Sequence, residues 1–94
     1  MDEVAQLSLL KHNLQRSHTS AQDEYLSALL RDADRELSDM GIKPGAAKDF
    51  LVIDYAAFLF RSRADIHYSQ TMPRFLDRRI KNVLIHQVGV PNDL

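Results

Sequence analysis

The chain has no cysteine. That excludes disulfide frameworks, thiolate catalysis and cysteine-based zinc sites together, and it fits a reducing cytoplasm. Long apolar runs are missing as well. The densest apolar stretch opens at Phe50-Leu-Val-Ile, far too short to span a bilayer, and no signal-peptide pattern opens the sequence. The expectation is a soluble protein made and used inside a cell, with no membrane contact. Glycine is scarce: Gly41, Gly45 and Gly89 are all there is, each at the end of an element rather than in a GxGxxG or Walker-type loop. The usual phosphate cradles are therefore unsupported. No serine sits in the glycine spacing of a nucleophile elbow. The four histidines, His12, His18, His67 and His86, are scattered, with no i, i+4 pair and no HExxH pattern, so nothing calls for a metal. No cofactor is expected.

What remains is 94 residues, 45% hydrophobic and 27% charged, ordinary values for one globular domain. A chain this short buries only about 60–65% of its unfolded surface, so self-association or a partner would add to its stability. The net charge of −1 hides a split. Residues 1–41 carry eight acids against four bases, a balance of −4, and residues 42–94 carry eight bases against five acids, a balance of +3. Solvated helix faces would account for this. So would an acidic face of one copy meeting a basic face of the next.

Apolar periodicity predicts an all-α fold, a compact bundle of four helices in a single domain over 1–94. The first spans about Glu3 to Leu14, with Val4, Leu7, Leu10 and Leu14 on one stripe and Asp2 as its cap. A polar connector, residues 16–20, follows. Ser20-Ala-Gln-Asp23 reads as a capping box for a second helix. That helix buries Leu26, Leu29, Leu30, Ala33, Leu37 and Met40, and stops at Gly41. Pro44 ends any continuation, and a third helix runs from about Ala46 to Arg63. Its apolar residues, from Phe50 to Phe60, point in nearly every direction, the mark of a helix touched on several sides. Asp54 is the exception. It must be paired or face water, and Arg78 and Arg79 are the candidate partners; stranding a buried guanidinium there would cost on the order of 3 kcal/mol. After an irregular loop over 64–71, Pro73 opens a fourth helix that runs to about Gln87. It buries Met72, Leu76, Ile80, Val83 and Leu84 and shows Arg74, Asp77, Arg78 and Lys81 on the opposite face. Val88 to Leu94 reads as a flexible tail.

Two readings compete for the basic residues. A helical DNA-binding module would set Arg78, Arg79 and Lys81 on phosphates, although Asp77 interrupts the stripe and the preceding loop lacks a compact helix-turn-helix turn. A small helical chorismate-mutase-like enzyme would gather Arg61, Arg63, Arg74, Arg78 and Arg79 around a dicarboxylate. That family depends on a long unbroken first helix, which the breaks at 16–20 and 41–45 deny.

Two C-terminal motifs point elsewhere. Tyr55-Ala-Ala-Phe-Leu-Phe-Arg-Ser-Arg, a short loop, and Met72-Pro-Arg-Phe-Leu-Asp-Arg-Arg-Ile-Lys-Asn together resemble the head-tail connector (adaptor) proteins of tailed double-stranded DNA bacteriophages and prophages. In that family a buried helix ends in a Tyr/Leu-Tyr-Arg-x-Arg run, and a Met-Pro-Arg-x-Leu helix start follows, with Arg and Asn further along it. Upstream, Asp23-Glu24 with Leu26, Leu29 and Leu30 fits more loosely. The resemblance covers most of the chain, though only the two motifs are specific, and the link between the second and third helices is shorter here than in many relatives. It implies a non-catalytic virion subunit, assembled in the cytoplasm of a bacterial host. Copies would close into a ring beneath the portal protein, meet a tail-side completion protein, and enclose DNA only as channel contents. The candidate subunit or portal interface is then Arg61, Arg63, Arg74, Phe75, Arg78, Arg79 and Lys81 on the basic side, with Asp32, Glu36 and Asp39 on the acidic side.

Overall fold

A computed structural model of the chain describes residues 1–16, 19–64 and 71–87. It is all-α among these residues, in the order α1 (Glu3–Asn13), α2 (Asp23–Asp39), α3 (Ala46–Ala64) and α4 (Arg74–Gln87). The loop expected over 64–71 falls largely outside the described residues, as do the tail expected over 88–94, His18 and His67.

Asp2 caps α1 as its position predicts, accepting from the Ala5 amide at 2.8 Å. Leu10 is fully buried and Leu7 and Leu14 pack beside it, but Val4 is 77% exposed. The cause is the direction α1 presents inward. Gln6 Nε2 donates to the Asp49 carbonyl and the Met1 amino group pairs with Asp49 Oδ2 at 3.0 Å. These contacts hold the Gln6–Leu7–Leu10 side against α3, and at about 100° per residue Val4 is turned away. At the other end, the Gln15 amide donates to the His12 carbonyl and the Arg16 amide to that of Lys11. That is the paired hydrogen bonding of a Schellman motif. Gln15, at φ 59, holds the left-handed position where glycine is usual.

The expected capping box at Ser20 does not form. The helix begins three residues later, with Gln22 in the cap position and no side-chain cap. Residues 19–22 make a tight turn instead, in which Thr19 Oγ1 accepts from Ala21 and the Ser20 carbonyl from Asp23. Asp23 and Glu24 remain in the first turn, where the helix dipole favours them. The end of α2 does follow expectation. Gly41 (φ 102) donates to Ser38 and Ile42 to Leu37, while Ile42 and Leu37 are both buried, a Schellman motif with its hydrophobic contact. Met40, expected in the core, is 40% exposed, because it caps the helix one residue before the chain turns off its axis.

Helix α3 is central, packing on α1, α2 and α4. Leu51, Val52, Ile53 and every residue from Tyr55 to Phe60 are buried. Phe50 is not, at 50% exposure. Lys48 is buried, reaching Asp34 at 3.2 Å and the Ser38 hydroxyl on α2. Pro73 stands one residue before the helix, its carbonyl accepting from Leu76 and Asp77. It therefore fills the cap position rather than the first helical one.

The helix directions follow from the cross-links. Lys11 meets Asp23 at 2.9 Å, so α1 and α2 are antiparallel. The Gln87 side chain accepts from the Lys43 amide and donates to the Gly41 carbonyl, which sets the C-terminal end of α4 beside that of α2. Helices α2 and α4 thus run parallel, with α3 antiparallel between them. Among the described residues α4 packs on α3 and on no other helix, through buried Leu76 and Ile80 with Val83 and Leu84 beside them.

Candidate functional site: the outer face of the fourth helix

Among the described residues α4 is covered by α3 alone, which leaves much of its surface open. Arg74, Phe75, Arg78, Arg79, Lys81 and Ile85 are exposed, Phe75 by 60% and Ile85 by 50%. Arg74, Arg78, Lys81 and Ile85 are spaced by four, three and four residues and form one stripe. Lys81 turns back to Asp77 at 2.9 Å. Arg74 and Arg78 form no ion pair among the described residues. Two guanidinium groups and an exposed phenyl ring on one helix are a composition typical of interface anchors.

The other basic candidates are also exposed but find partners within the chain. Arg79 pairs with Asp54 across the α3–α4 seam, as one of the two pairings expected for that carboxylate. Arg61 donates to the backbone carbonyl and side chain of Asn13 at the end of α1. Arg63 stands 3.5 Å from Asp32. The five arginines of the enzyme reading therefore go to separate places rather than converging on one pocket. A cleft of about 620 Å³ does lie between the Lys43–Lys48 segment and Asn82–Gln87, but none of the five lines it. Arg79 alone of them lines a smaller one, about 260 Å³, beside Phe50.

The acidic candidates share one stripe of α2. Asp32 meets Arg35 at 3.0 Å as well as Arg63. Glu36 accepts from the Tyr55 hydroxyl at 3.1 Å. Burial, then the negative charge of Glu36 and the hydrogen bond to it, push the Tyr55 hydroxyl up to about 12. Asp39 is exposed and makes no ion pair among the described residues. Sequence patterning had no means to foresee the Tyr55–Glu36 bond, the Asn13 partner of Arg61, or the Arg16 guanidinium lying 5.1 Å over the Phe60 ring. Each joins elements far apart in the chain by contacts that carry no periodic signal.

No group of three or more His, Cys, Asp or Glu side chains among the described residues is placed to hold a metal ion. No helix among them is long and apolar enough to cross a membrane. The chain matches no protein-family model, no curated protein and no solved structure.

Proposed function

We propose that the chain is an assembly subunit, a head-tail connector of a tailed phage or prophage whose copies close into a ring under the portal. The observation that carries this reading is the stripe on α4. Among the described residues Arg74 and Arg78 form no ion pair, beside exposed Phe75 on a helix that packs on α3 alone, and Asp39 on α2 forms none either. A heterologous contact that closes on itself needs two different, complementary faces of one molecule. The charge split between the halves of the chain supplies them, and the two C-terminal motifs supply the family likeness. The portal and a tail-side completion protein are the further partners this reading names.

The DNA-binding reading is weaker for a specific reason. Lys81 is held by Asp77, which leaves Arg74 and Arg78 as the cations of the stripe without an ion pair among the described residues and sets a carboxylate where a phosphate would lie. The test uses the portal of the phage or prophage whose genome carries this chain. A stoichiometric complex on co-sedimentation supports the connector reading. A chain that stays monomeric and ignores that portal refutes it.

A further inference from the structure

We propose that neighbouring copies meet through parallel pairing of α4 from one copy with α2 from the next, in a single register: Arg74 with Asp32, Arg78 with Glu36, Lys81 with Asp39. This rests on the ring reading above and adds to it a direction and a set of partners.

The first support is spacing. The three bases step by four residues and then three, and so do the three acids. In heptad terms both stripes run d, a, d. Parallel helices put like positions in the same layer, whereas antiparallel helices put unlike positions there. In parallel all three acids therefore face all three bases. Reversing one helix keeps Arg78 beside Glu36 but leaves the outer pairs, Arg74 with Asp39 and Lys81 with Asp32, one residue out of step.

The second support is the fold. Within one copy α2 and α4 already run parallel, on either side of α3 and without touching. When copies stand side by side around an axis roughly along the helices, rotation preserves helix direction. The α4 flank of one copy then meets the α2 flank of the next in parallel, the arrangement that the spacing requires. Beyond the third pair, the next exposed apolar groups are Ile85 on α4 and Met40 on α2, and both belong to the same end of the bundle.

The internal bonds of the acids do not compete. A carboxylate has about four acceptor positions, so Asp32 can keep Arg35 and Arg63, and Glu36 can keep Tyr55, while each meets a neighbour's base. Lys81 would exchange Asp77 for Asp39, giving up an exposed i, i+4 pair of small worth.

The outer pairs are diagnostic, since Arg78 and Glu36 sit centrally in either direction. Asp39 and Lys81 are both exposed, so their reversal leaves the fold intact, which circular-dichroism melting verifies. The measurement is the self-association constant of the full chain by sedimentation equilibrium. Lys81→Glu is expected to weaken association about tenfold, and Asp39→Arg in the same chain to restore it. Asp39→Arg is expected to give no rescue of Arg74→Glu. Rescue of Arg74→Glu instead of Lys81→Glu would overturn the parallel register while leaving the charged contact between copies standing. Association indifferent to both base reversals would remove α4 from the contact. A wild-type chain that neither self-associates nor binds the portal would defeat the ring reading itself.

Discussion

Arg79 on α4 reaches across to Asp54 on α3, fastening the fourth helix at the midpoint of the most apolar helix in the protein. The pair is less buried than the setting of Asp54 in the sequence implies. The Asp54 side chain is 21% exposed and that of Arg79 48%, because α4 covers α3 from one side and leaves the seam open to water. The loss of about 3 kcal/mol expected for a sealed pair is therefore too large. Asp54→Ala should cost about 1–1.5 kcal/mol, since the freed guanidinium can be hydrated. A double-mutant cycle with Arg79→Ala in urea checks this. A coupling of about 0.5–1 kcal/mol agrees; zero coupling would mean the pair contributes nothing to holding α4.

Two helix ends share one backbone motif but differ in the residue at its left-handed position. Gly41 adopts φ 102, and a Cβ there would meet Leu84 at an ordinary 3.5 Å, so the penalty for alanine is conformational rather than steric. Gly41→Ala should cost about 1–2 kcal/mol. Gln15 bears the same strain at φ 59, and Gln15→Gly should stabilise by about 0.5–1 kcal/mol. Opposite shifts in Tm confirm both; shifts of the same sign would contradict the shared motif.

The Tyr55 hydroxyl, raised to about 12 by burial and by Glu36, ties stability to alkaline pH. The folded state holds this proton more tightly than the unfolded chain, whose tyrosine titrates near 10. The contribution is therefore complete below pH 10 and declines as pH rises from 10 through 12. The decline should be on the order of 2 kcal/mol by pH 12. Tyr55→Phe should flatten this part of the profile, as urea midpoints from pH 8 to 11.5 would show. An unchanged slope in the Phe variant would assign the loss to other groups.

The four helices, the central place of α3 and the glycine stop at Gly41 were legible in the sequence because each has a local cause: apolar period, all-round apolarity, a residue suited to positive φ. Ser20 misled because a capping motif competes with a turn that uses the same backbone groups, and the sequence does not say which wins. Val4 and Met40 misled because periodicity gives a stripe but not its width, and tertiary contacts such as Met1–Asp49 set how far the helix rolls. The basic stripe on α4 was legible as a pattern. Which of the basic candidates find partners within the chain was not, since Arg79, Arg61 and Lys81 do so at separations from 4 to 48 residues.

The claim that α4 presents an assembly face is tested most directly by sedimentation velocity. Wild-type chain and Arg78→Glu are compared over a wide concentration range, with a short DNA duplex titrated in parallel at two salt concentrations. Wild-type chain should grow with concentration toward a single closed species, Arg78→Glu should stay monomeric, and duplex binding should be weak for both. A wild-type monomer at every concentration would contradict the claim if it bound duplex tightly, lost that binding with a log-log salt slope near −0.9 per phosphate contacted, and lost it again in Arg78→Glu.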